Sequence, residues 1–193
     1  MSATIAENHQ APVRRRLTVK DFQRMAETGI LGKNERVELI DGELIAMPPI
    51  GPKHADIVNY ITRIFARHLG DDKLVTIQNP VHLDRYGEVY PDATIVRNRR
   101  YFHAHPLPRD VLLIIEVSDS TLGYDRDTKL PHYAVHGIGE VWLINVPERC
   151  VELYRQPHSE EQRYQNVQRV ERGTVAAQAI PEVRLPLSEL FLS

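Results

Sequence analysis

The segment Val111-Leu112-Leu113-Ile114-Ile115-Glu116-Val117-Ser118 decides the fold. Five consecutive apolar residues, three of them β-branched, describe a central strand covered on both faces. The run ends at a carboxylate, which is costly at the end of a buried strand unless it is paired or holds a metal. By strand alternation Glu116 shares a face with Leu112, Ile114 and Ser118. On its own it is open to three readings: a buried salt bridge, the exposed end of a strand, or a ligand.

Working outward, Glu88–Val96 (EVYPDATIV) is a second strand-like stretch, with Asp92 directly after Pro91. Proline cannot donate to a ladder, so Pro91 marks an edge, an entry or a bulge. Bulges often re-aim side chains beside active sites. Asp92 therefore either caps a turn or serves as a second carboxylate at a strand end. Oxygen ligands from two adjacent strands are what a hard cation such as Mg2+ takes.

The flanking elements fill in the architecture. Thr18 with Asp21 at N3 is a capping signature that opens a helix through Ala26. Asp41-Gly42 between two alternating runs is the strongest hairpin signal in the chain. Pro52 starts a helix to His68, with Ile57, Ile61, Ile64 and Phe65 along one side, and Gly70 ends it. Strands are expected near 74–78, 81–83, 89–96 and 111–118. A helix follows from Tyr124 to His136, with Pro131 as a kink and Gly137 at its C-terminus. Further strands lie in GEVWLINV, VELYRQ and RYQNVQRV, and a short one closes the chain. The reading is one α/β domain over 14–193, bordering on α+β. A mixed central sheet is flanked by helices, with an N-terminal hairpin and extra C-terminal strands. Residues 1–13 read as a disordered tail.

Composition narrows the class. Of 193 residues, 42% are hydrophobic and 26% charged, which fits a globular protein with a real core. The single cysteine, Cys150, rules out an internal disulfide framework and fits a reducing cytoplasm. No apolar stretch reaches the roughly 20 residues of a membrane span, and the N-terminus lacks the apolar core of a secretory signal. A net charge of −2 is no fingerprint of a nucleic-acid binder. Glycine-rich phosphate loops and G-x-S-x-G are absent. His132 and His136 have a zinc-compatible spacing but no H-E-x-x-H context.

Lys129 lies on the helix after the central strand, four residues beyond Asp125. The pair is either an ordinary surface contact or a lysine turned back over the sheet, where an ammonium could orient a water or offset charge developing on a phosphate. The succession ELIDGEL, GPKHA, YPDATIV, LLIIEVSDST and YDRDTKLPHYAVHGIGEVWLINV resembles the Uma-type restriction endonuclease family of bacteria, within the PD-(D/E)XK nuclease superfamily. The likeness runs from about Leu17 to the C-terminus and is most specific from Glu116 through Trp142. It implies a restriction-endonuclease-like core with Asp92 and Glu116 on the metal. The superfamily's E-x-K pattern is broken, because Ser118 stands where its lysine would be. Lys129 matches a lysine relocated to the helix. Glu38, His54 and Asp125 match recurrent positions and are supporting candidates: Glu38 for a second metal, His54 for a phosphate contact, Asp125 to hold Lys129 or stand behind the site.

The reading is therefore a Mg2+-dependent endonuclease, with Mn2+ as a possible substitute. DNA is the substrate implied by the resemblance, and the backbone carbonyl of Val117 is a further metal ligand. Arg97, Arg99 and Arg100, together with Arg14–Arg16, are candidate contacts to the DNA backbone. A homodimer is compatible with cutting two strands. The rival reading is a degenerate nuclease-like module that binds DNA or a protein partner without turnover.

Overall fold

A computed structural model describes residues 13–191; the tail expectation falls on residues outside these, apart from exposed Val13. In chain order the elements are α1 (Val19–Glu27), β1 (Val37–Ile40), β2 (Glu43–Ala46), α2 (Pro52–His68), β3 (Lys73–Ile77), β4 (Val81–Asp84), β5 (Gly87–Val89), β6 (Ala93–Arg97), β7 (Val111–Ser118), α3 (Leu122–Tyr124), a π-helical turn (Asp125–Lys129), α4 (Leu130–Val135), β8 (Glu140–Asn145), β9 (Cys150–His158), β10 (Arg163–Val170), β11 (Thr174–Ala177), β12 (Ile180–Pro186) and α5 (Leu187–Leu190). Six strands form a mixed sheet in the order β10-β9-β8-β7-β6-β3, with β7 and β8 its parallel pair. A parallel pair needs a crossover, and the helical stretch from Leu122 to Val135 supplies it. A second, antiparallel sheet runs β2-β1-β5-β4, and β11 pairs with β12.

The centre of the six-stranded sheet is buried on both faces, as the run at 111–115 requires. Leu113, Ile115 and Val117 pack with Ile57, Ile61 and Phe65 of α2. Ile114 packs with Leu130, Tyr133 and Ala134 of α4, and with Ile40, Val81 and Val89 of the smaller sheet. One detail of the alternation differs from expectation. The β6–β7 register shifts between Ile95 and Val96, which face Leu113 and Val111 and leave Leu112 between them. This bulge turns Leu112 to the α2 side, so Glu116 shares its face with Ile114 and Ser118 but not with Leu112.

The stretch 89–96 is not one strand. It breaks at Tyr90-Pro91-Asp92, with β5 in the smaller sheet and β6 in the larger. Pro91 has no N–H to continue a ladder, and the chain steps between sheets there. Helix α2 also ends differently: Leu69, in extended conformation, is its C-cap rather than a left-handed glycine. The helix around Pro131 stays continuous. A π turn immediately precedes the proline, and the widened turn accommodates a ring that would otherwise crowd the carbonyl four residues back.

The β1–β2 hairpin turns through Asp41 and Gly42, both at positive φ (52° and 79°), as the favoured two-residue turn demands. A Cβ on Gly42 would lie 2.6 Å from Cβ of Arg16 and 3.0 Å from the Leu17 carbonyl oxygen. Gly42→Ala should therefore cost about 2 kcal/mol from the backbone conformation alone. Thermal melting should show this as a Tm lowered by roughly 4–8 °C. An unchanged Tm would mean that the turn tolerates a side chain.

Candidate active site

The two sheets diverge at Tyr90-Pro91-Asp92, and a group of buried polar side chains gathers at that fork. Asp92 sits at the crossing. Glu116 comes from the end of β7, Glu38 from β1 of the smaller sheet, Lys129 from the π turn and His54 from the first turn of α2. All five line one cavity of about 160 Å3, together with Val117, Asp125, Asp119, Thr121 and Arg36.

The contacts are specific. Lys129 Nζ lies 3.0 Å from Glu38 Oε1 and 3.1 Å from Glu116 Oε1, with all three side chains under 5% exposed. The Tyr133 hydroxyl donates to the same Glu116 oxygen. Asp92 Oδ2 accepts from the Val117 amide at 2.8 Å and lies 3.0 Å from His54 Nε2. Glu38 Oε1 also accepts from the Tyr90 amide at 3.0 Å, whereas its Oε2 is buried without a partner. His54 Nδ1 and the Tyr124 hydroxyl are buried and unpartnered as well.

Asp125 does not hold Lys129 by a hydrogen bond. Its Oδ2 accepts from the hydroxyls of Ser118, at 2.7 Å, and Thr121, at 2.6 Å. Ser118, two residues beyond Glu116, thus fastens the start of the π turn whose last residue is Lys129. Asp125 and Lys129 are both buried, so their four-residue spacing is not a surface pair.

Arg97, Arg99 and Arg100 are not part of the cavity lining. They lie at or beyond the far end of β6, with Arg97 roughly 17 Å along the chain from Asp92. Arg99 is paired with Asp110 at 2.7 Å. Arg16 pairs with Asp41 at the hairpin turn and sits over the Tyr86 ring. Arg36, Tyr133 and Thr121 were missed by sequence reasoning. Two of them carried a signal: Tyr133 is four residues from Lys129 on one helical stretch, and Arg36 is two residues from Glu38.

The electrostatics set this cluster apart from the other buried acids. Asp110, Glu140 and Glu152 each face an arginine, namely Arg99, Arg155 and Arg126, and buried Glu88 accepts from Gln23 Nε2 and the Tyr90 hydroxyl. At the fork Glu38, Asp92, Glu116 and Asp125 crowd around one lysine and one histidine. Burial drives the Glu116 carboxyl up to about 8; Lys129 opposes this, and the charges of Asp92, Asp125 and Glu38 add to it. Burial also works against ionised Asp92, but His54, the Val117 amide and Lys129 outweigh it and hold that carboxyl below its ordinary range. For Lys129, burial works against the charged form, but Glu116, Glu38, Asp125 and Asp92 prevail and keep the ammonium charged.

A pH dependence follows. An unfolded glutamate ionises near pH 4.5, while folded Glu116 holds its proton up to about 8. Between these values the folded chain binds the extra proton, so the Glu116 contribution to stability is full at low pH and declines as pH rises towards 8. In chelator the Tm should fall between pH 6 and 8.5, and Glu116→Gln should flatten that fall. An identical slope in the variant would contradict the assignment.

A divalent cation fits the donor set chemically. The acids exceed the cations around one cavity, and a buried carboxylate oxygen of Glu38 has no partner. As the side chains stand, however, no three acidic, histidine or cysteine groups among the described residues converge as a metal cluster. Lys129, Tyr133, His54 and the Val117 amide hold the acids in their present places.

A mixed sheet with a parallel β7–β8 pair at its centre, helices on its flanks and a strand break beside it is the architecture of a restriction-endonuclease-like α/β protein. A family model described as "Putative restriction endonuclease" matches residues 19–188, and the chain belongs to that family, Uma2. Among solved structures it is similar to "a putative nuclease belonging to DUF820" from Anabaena variabilis. That likeness has 17% identity and a TM-score of 0.70, and it covers 91% of this chain and 97% of the other. At that identity it speaks for the fold alone. No curated protein matches the chain.

Proposed function

We propose that residues 14–193 form one domain that hydrolyses phosphodiester bonds of DNA with the help of Mg2+, or of Mn2+ in its place. The observation that carries this reading is the concentration of four buried carboxyl groups around a single lysine, in a cavity that opens where β5 passes to β6. Membership in a family described as a restriction endonuclease supports the reaction class. Among the described residues no helix is long and apolar enough to cross a membrane.

Asp92 and Glu116 would hold the cation, with the Val117 carbonyl beside them. A cation there would lower the pKa of a water and draw off charge from the phosphate. Lys129 is better suited to donate than to accept: its ammonium stays charged between two acids and can orient a water and face negative charge on the phosphate. Glu38 Oε2, without a protein partner, is the acceptor left for the proton of an attacking water. Tyr133 keeps Glu116 in place, and Ser118 with Thr121 fixes Asp125 and so the turn that carries Lys129. His54 holds Asp92 and stands at the start of α2, near any phosphate that enters.

The test is conversion of supercoiled plasmid to nicked and linear forms by the purified chain. Cleavage should appear with Mg2+ or Mn2+ and stop in chelator. If no cleavage occurs with either ion, the rival reading of a binding module without turnover takes over.

A further inference from the structure

Resting on the nuclease reading above, we propose that Arg36 grips the substrate phosphate and that the groove beside it takes one unpaired nucleoside. The site would thus act on a strand that has left the duplex. Arg36 stands two residues before Glu38, so the two side chains leave the chain on the same side. Glu38 is buried at depth, and Arg36 is half-buried at the mouth.

Arg36 lines the acid cavity and also two adjoining grooves of about 550 and 460 Å3. Its Nη1 donates to the Pro48 carbonyl at 2.7 Å. Among the described residues no carboxylate forms an ion pair with it, although four acids lie in the cavity below. A neutral carbonyl anchors the guanidinium and leaves its charge for what enters. A planar fork of donors in that position suits a phosphodiester.

The walls behind Arg36 are largely apolar. Leu31, Val37, Met47, Ile50 and Tyr90 line the grooves, and Lys33 stands at the rim. Glu35 also lines them, with its Oε2 turned onto the Gly32 amide at 2.8 Å. The volume falls in the range of small-ligand sites, and an aromatic ring with aliphatic neighbours is what an unstacked base packs against. Depth gives the second reason. Glu38, Asp92 and Glu116 are 2%, 7% and 3% exposed. Reaching acids at that depth is easier for an unpaired strand, which bends freely, than for a stiff duplex.

The test is fluorescence anisotropy with the full chain in chelator, where cleavage does not interfere. The probes are three labelled oligonucleotides of one sequence: a single strand, a duplex with a central unpaired nucleotide, and a perfect duplex. The first two should bind at least about tenfold more tightly than the third. Arg36→Met should weaken the first two by about tenfold or more, the loss expected for charged hydrogen bonds. Arg36→Lys, which keeps the charge without the fork, should recover part of that loss and serves if the methionine variant does not fold. Equal binding of all three probes by the wild type, or unchanged binding in both variants, overturns this inference. If Mg2+-dependent plasmid cleavage persists in either of those cases, the nuclease reading stands without it. If neither plasmid nor the single strand is cleaved with Mg2+ but unpaired probes bind selectively through Arg36, the reaction fails and the binding site stands.

Discussion

Asp92→Asn and Glu116→Gln should each lower Mg2+-dependent plasmid cleavage by on the order of a thousandfold, the several kcal/mol a bound cation supplies to charge stabilisation. Both replacements keep the shape of the side chain. An asparagine carbonyl oxygen can still accept from the Val117 amide, as Asp92 Oδ2 does at 2.8 Å. A glutamine carbonyl can still accept from Lys129 and Tyr133, as Glu116 Oε1 does. The fold should therefore survive while the ligand charge is lost. Circular dichroism and melting establish that the variants are folded, and initial nicking rates give the effect. Full activity in both variants would remove these two residues from the chemistry.

Lys129→Met should produce the largest loss of stability of any single change at the site. Glu38 and Glu116 both lean on this ammonium, at 3.0 and 3.1 Å. Removing one partner of a buried ion pair typically costs about 3–5 kcal/mol, because the other charge is left uncompensated. In chelator the variant should melt far below the wild type and show no cleavage on return of Mg2+. Millimolar Mg2+ should raise its Tm more than that of the wild type, since a cation then answers acids that have lost their lysine. A variant that melts with the wild type and cleaves at full rate would make Lys129 a bystander.

Much of this arrangement was legible along the chain, for a local reason. Thr18, the Asp41-Gly42 turn, Pro52 and the run at 111–115 each act through neighbours in sequence, and α1, the hairpin, α2 and β7 fall where those signals put them. The strand that splits at Pro91 was harder. The proline showed an interruption, but which sheet each half joins depends on long-range pairing of β5 with β1 and of β6 with β7. The site shows the same division. Asp92, Glu116 and Lys129 stood out by position, and the fold brings all three to one cavity. That Glu38 shares Lys129 with Glu116, or that Ser118 holds Asp125, follows from how two sheets and a π turn meet. Arg97, Arg99 and Arg100 lie outside the cavity lining, because closeness in sequence to a site strand says nothing about which end of the strand they occupy. Arg97 is near Asp92 along β6 and far from it in space, whereas Arg36 comes to the cavity mouth from another sheet.

All of these roles rest on the proposal that the fork between the sheets is a divalent-metal centre. Equilibrium Mn2+ binding, followed by electron paramagnetic resonance of the free ion, tests it most directly by comparing the wild type with Asp92→Asn. The wild type should show a site that fills at millimolar or lower Mn2+ and is lost in the variant. A wild type that binds no Mn2+, or a variant that binds it equally well, would contradict it.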